Sequence, residues 1–140
     1  MKSLLVVSSL AMSLFAMTGC GATSDKPAQQ SVIVTAANET AALARLRAVV
    51  EAERRYQVDS GGEYGTLDQL IQKGHLNDPA RGKLTGYRFN VRVRAGGFEA
   101  TAVPEKPGVT GTRSFYVDEQ NVVHGADKKG GEATALDPEV

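Results

Sequence analysis

The chain has 140 residues, with 16 Lys+Arg balanced by 16 Asp+Glu, no Trp, one Cys and 15 Gly. That length fits one domain with terminal extensions. The charge balance argues against a nucleic-acid binder, which needs an excess of cations to neutralise phosphates, and gives no electrostatic case for an anionic-membrane binder.

At the N-terminus Lys2 supplies a short positive region, and an apolar stretch follows from Leu4 to Ala16, broken only by Ser8, Ser9 and Ser13. This is the pattern of an export signal, and it is too short for a comfortable bilayer span. Thr18 and Gly19 lead into Cys20, the single thiol, which has no intrachain disulfide partner. The tetrad Met17-Thr18-Gly19-Cys20 resembles the bacterial lipobox, in which signal peptidase II cuts before a cysteine that carries diacylglycerol on its sulfur. The resemblance implies a signal peptide over residues 1–19 and a lipidated Cys20. More than one acyl chain makes such an anchor effectively permanent, since each buried methylene contributes about 0.8 kcal/mol. Residue 21 is Gly rather than Asp, which in enteric-type sorting points to the outer membrane.

Residues 20–35 include the small, polar run GATSDKPAQQS, and a flexible lipid-anchored tether is expected there. The clearest helix spans residues 38–57. Asn38 is the expected N-cap and Glu39 the favourable charge in the first turn. Ala42, Leu43, Leu46, Val49, Val50 and Tyr56 share one face, while Glu51 and Arg55 have ion-pair spacing. Gly61-Gly62 breaks this helix. A short second helix is expected over residues 66–76, with Thr66 and Gln69 as a capping box and Gly74 as its stop. Asn77-Asp78-Pro79 reads as a turn.

Beyond Gly86 the period changes to two. Tyr87, Phe89, Val91 and Val93 point one way, and Arg88, Asn90, Arg92 and Arg94 the other. Gly96-Gly97 is the expected hairpin turn, placing Arg94 opposite Glu99. Phe98, Ala100 and Ala102 continue the inward face. Residues 112–118 and 121–124 form a second hairpin around Glu119-Gln120. The Gly-rich, polar segment 125–140 is expected to be a disordered tail.

These elements define an α+β domain: a long amphipathic helix and a short one, packed on an antiparallel sheet of about four strands. Their order resembles the globular domain of bacterial type IV pilin-like and pseudopilin-like proteins over residues 36–124. The motifs are Glu53-x-x-Tyr56, Gly65-Thr66-Leu67, Gly86-Tyr87-x-Phe89 and Phe115-Tyr116-Val117-Asp118. A prepilin has a leader cut after Gly and a long apolar helix for filament packing. Here the apolar segment ends in a lipobox instead, so the resemblance implies a pilin-like head on a lipid anchor.

Catalysis needs a convergent nucleophile, base and electrostatic stabiliser, and no such set is legible. His75 and His124 have no metal-ligand spacing. Asp118, Glu119 and Asp127 offer oxygens, but Asp118-Glu119-Gln120-Asn121 serves as a plain turn, whereas Ca²⁺ needs six to eight ligands. No catalytic residue, metal or cofactor is expected. The stripe Arg88, Arg92, Arg94 reads as a solvated face balanced by Glu99; as a binding site it would take an acidic partner or anionic glycan. The expected function is that of a non-enzymatic envelope lipoprotein facing the periplasm, bound to the membrane through acylated Cys20, with its head as an interaction module. A lipid-anchored accessory component of a type II secretion or type IV pilus system is the alternative. A small periplasmic hydrolase or solute-binding protein stands behind both.

Overall fold

The computed structural model describes residues 26–77 and 86–140. The export signal, Cys20 and the turn at Asp78-Pro79 lie outside the described residues. The fold is α+β: helices α1 (Lys26–Ser60) and α2 (Leu67–Gln72), then strands β1 (Tyr87–Arg94), β2 (Gly97–Pro104), β3 (Ser114–Asp118) and β4 (His124–Ala126). The strands form one antiparallel meander in the order β1-β2-β3-β4.

Helix α1 is longer than the expected segment. It begins at Lys26 rather than Asn38 and runs for 35 residues, about 52 Å at 1.5 Å per residue. Residues 26–35 are therefore helical, and the expected tether is corrected over that stretch. Pro27 stands in the first turn, where its missing N–H removes only a group that has no intrahelical partner. Between Pro27 and Asn38 no glycine or proline interrupts the helix. Asn38 is an interior residue whose Nδ2 donates to the Thr110 carbonyl (2.8 Å) rather than a cap. Glu51 pairs with Arg54 at 2.8 Å, not with Arg55. The helix ends where Gly61 (φ 79°) and Gly62 (φ 108°) turn the chain left-handed, and the Gly62 N–H closes on the Gln57 carbonyl at 2.7 Å.

Helix α2 follows the expected capping chemistry. The Thr66 hydroxyl accepts from the Gln69 N–H, and the Gln69 side chain accepts from the Thr66 N–H. At its end the N–H of Gly74 bonds the Ile71 carbonyl and that of His75 the Leu70 carbonyl, with Gly74 at φ 75°. These are the paired bonds of a Schellman motif.

The core lies between α1 and the inner face of the sheet. Ala42, Leu46, Val49, Val50 and Tyr56 of α1 and Leu70 of α2 meet Tyr87, Val91, Phe98, Ala100, Ala102, Phe115 and Val117. Tyr64 packs on Phe98 and Tyr87 stacks on Phe115, with ring centroids 5.4 and 6.0 Å apart. Val93, expected inward, is exposed near the hairpin tip. That hairpin turns at Ala95-Gly96, one residue earlier than expected. The register sets Arg94 against Gly97 and Arg92 against Glu99. The last strand is also displaced: Tyr116 faces His124 and Ser114 faces Ala126. The connection is carried by Asn121, at φ 62°.

Residues 127–140 are ordered, which corrects the expectation of a disordered tail. They cross the outer face of β2 and β3, where the Ser114 hydroxyl donates to the Gly131 carbonyl (2.7 Å). The chain then returns along β4. The Gly125 N–H bonds the Pro138 carbonyl and the Val140 N–H bonds the Val123 carbonyl, and His124 bridges Glu139. Ala133, Thr101 and Val103 are buried as a result. The sheet is thus covered on one face by α1 and on part of the other by the C-terminal segment.

Candidate functional site

Strand alternation places Arg88, Arg92 and Arg94 on the outer face of β1, as expected. Their environments differ. Arg92 forms a two-pronged pair with Glu132 of the C-terminal segment, both bonds at 2.8 Å, and lies 3.6 Å from Glu99. The Arg92 hydrogen bond is the main cause that holds the Glu132 carboxyl below its ordinary range. Arg94 reaches diagonally to Glu99 (2.9 Å) and donates to the Tyr116 hydroxyl (2.8 Å). Burial moves the Tyr116 hydroxyl upward, against the Arg94 hydrogen bond. Two of the three cations are therefore answered by carboxylates within the fold. Arg88 has no hydrogen bond or ion pair among the described residues. It opens onto a shallow cavity of about 380 Å³ bordered by Asn90, Thr101, Val103, Gly131 and Glu132. Among the described residues, the stripe thus offers Arg88 as an unpaired cation beside a neutralised pair.

The two histidines are held apart. His75 lies 3.1 Å from the Asp59 carboxylate and meets the Tyr56 ring edge-on at 6.1 Å. His124 Nδ1 is 2.7 Å from the Asp137 carbonyl. Asp118 accepts from the Gln120 N–H (3.0 Å) as a turn residue, and Asp127 binds Lys129 at 2.7 Å. Among the described residues no three of His, Cys, Asp and Glu gather into a group that could hold a metal.

Two buried carboxylates have partners that the sequence does not reveal. Glu53, fully buried on α1, accepts from the Gly65 N–H through Oε2 (2.9 Å), while its Oε1 has no partner among the described residues. Burial pushes its carboxyl up to about 7, against the Gly65 hydrogen bond. A Cβ at Gly65 would stand 3.2 Å from both the Leu70 side chain and the Tyr56 ring. The motifs Glu53-x-x-Tyr56 and Gly65-Thr66-Leu67 are thus two sides of one joint between α1 and α2.

Glu39, expected to serve the dipole of a helix start, instead clasps the beginning of β3. Its Oε1 accepts from the N–H groups of Thr112 and Arg113 (3.0 and 3.1 Å), and its Oε2 from the Arg113 guanidinium (2.9 and 3.0 Å). Burial pushes the carboxyl up, but these bonds and the Arg113 charge outweigh it and hold it below its ordinary range. Tyr87 completes the joint by donating to the Arg113 carbonyl (2.8 Å). Burial, with the nearby Glu39 charge, drives its hydroxyl strongly upward. A Cβ at Gly111 would collide with the Tyr87 ring. Both carboxylates join elements of the fold.

Comparison with models of known families, with characterised proteins and with solved structures returned no match. None of the described helices is long and apolar enough to cross a membrane.

Proposed function

We propose that this protein is a cell-envelope lipoprotein, anchored to the outer membrane through acylated Cys20 and presenting a pilin-like, non-enzymatic interaction module to the periplasm. The observation that carries the reading is the run that ends in Met17-Thr18-Gly19-Cys20: an export-type apolar segment closing on the only thiol of the chain. The architecture is compatible with it. Helix α1 starts six residues beyond Cys20, so an anchor there would act on the head through a short connection. The ionisable side chains that are buried are used to join α1 to α2 and to β3, which suits a rigid head that presents surfaces. The reading is tested by the mass of the N-terminal peptide of the mature protein, which should begin at a Cys20 that carries acyl chains.

A second reading is favoured by one observation. The N-terminal turns of α1 leave Val32, Ile33 and Val34 exposed. An exposed apolar helix segment suits an accessory component held beside a type II secretion or type IV pilus machine. Its test is co-purification of the acylated protein with such a complex from the native membrane.

A further inference from the structure

The first turns of α1 differ from the rest of the helix. From Ala28 to Ala37 every residue is exposed except Thr35, which is half-buried. Val32 and Ile33 keep 67 and 68 % of their surface in solvent, and Val34 keeps 49 %. Val109, 61 % exposed, lies beside them because its carbonyl accepts from the Thr35 hydroxyl. The remaining large exposed apolar residues, such as Val58, Val93 and Leu136, lie elsewhere in the sequence and are not part of such a run.

Three features of this patch select its occupant. Successive residues of a helix are turned by about 100°, so three in a row sweep about 200°. A partner helix touches a narrow seam, whereas lipid surrounds the helix and wets a wide arc. Residues 28–38 contain no Asp, Glu, Lys or Arg, so this stretch of the helix brings no charge out of water. The six residues from Cys20 to the helix start span at most about 20 Å when extended, and Ile33 lies only about 10 Å further along the axis. A lipid on Cys20 therefore keeps the patch within reach of the membrane surface.

We infer that Val32, Ile33 and Val34 of α1, with Val109 of the adjoining loop, form a lipid-contacting face that rests in the interfacial region of the bilayer holding the anchor. This rests on the lipoprotein reading and adds an orientation to it: α1 meets the membrane at its N-terminal turns.

The test uses the acylated full chain in phosphatidylcholine vesicles with brominated acyl chains. An environment-sensitive fluorophore is attached to Ile33→Cys or, as a control at the other end of the same helix, to Val58→Cys. The Cys20 thiol is blocked by its lipid and does not compete for label. Lipid quenching at residue 33 should exceed that at residue 58 by about threefold or more, as for an interfacial helix seated 5–10 Å deep. Equal quenching at the two positions would overturn the inference. Self-quenching between copies at residue 33 without lipid quenching would also overturn it, in favour of a second copy of the chain as the occupant. The mass of Cys20 separates the two claims: an unacylated chain overturns both, whereas an acylated chain with residue 33 in water overturns the lipid-facing patch alone.

Discussion

Replacing Glu53 by Gln should change how the stability of the head depends on pH. Glu53 is fully buried, has one oxygen without a partner among the described residues, and has its carboxyl pushed by burial from an ordinary 4.5 to about 7. Its folded-state value lies above its unfolded one, so the folded chain holds a proton that the unfolded chain releases. Stability from this group is fully present below the unfolded value and is lost as pH rises through the folded one. At about 1.4 kcal/mol per pH unit over most of that window, the wild type should lose about 2–3 kcal/mol between about pH 5 and pH 8 on account of this residue. Glutamine keeps an acceptor for the Gly65 N–H and cannot ionise. The variant should therefore be close to wild type at the lower pH and more stable by about 2–3 kcal/mol at the higher. Urea unfolding followed by circular dichroism at the two pH values measures this. Equal stability differences between variant and wild type at both would refute the argument, because the carboxylate would then be solvated in the fold.

Glu39 has the opposite sign: its carboxyl is held down, so its stabilisation is present above the ordinary carboxylate range and is lost as pH falls through the folded value. Glu39→Ala should lower stability by about 2 kcal/mol near neutral pH, moderated by the part-exposed Arg113, and urea midpoints will register it. Gly111→Ala should destabilise by about 1–3 kcal/mol through the clash with the Tyr87 ring, read as a fall in melting temperature. Thr66→Ala should remove about 1 kcal/mol by deleting the α2 cap. Ending the chain after Asp127 should lower Tm by about 5–10 °C, because Thr101 and Val103 would be uncovered and β4 would lose its returning partner. In the intact protein, residues 128–140 should resist limited proteolysis.

The parts legible in the sequence are those fixed by local chemistry. Thr66, Gln69 and Gly74 specify both ends of α2 within a few residues, and the period-two run after Gly86 specifies β1 and the face its arginines take. The parts that were not legible depend on residues far apart in the chain. Asn38 looks like a cap until its amide is seen to serve the Thr110 carbonyl, 72 residues away. Glu39 reads as a first-turn charge and Glu53 as part of the Glu53-x-x-Tyr56 motif, and the partners that bury them, at the approach to β3 and in the Gly65 loop, lie outside the local pattern. The C-terminal segment has the composition of a disordered tail, with Ala133 its most buried apolar residue. Its order comes from backbone hydrogen bonds to Val123 and Gly125 and from the Glu132–Arg92 pair. Residue type does not place the hairpin turn to a single residue, since Gly96 and Gly97 suit a turn equally well. The register assigns only Gly96, at φ 77°, to it, while Gly97 starts β2.

The measurement that tests the central claim most directly is the intact mass and N-terminal peptide of the protein recovered from the membrane fraction of its own host. The account predicts a chain that begins at Cys20 and carries the mass of its acyl chains. A chain that retains the apolar leader, or one cut elsewhere and free of lipid, would contradict it.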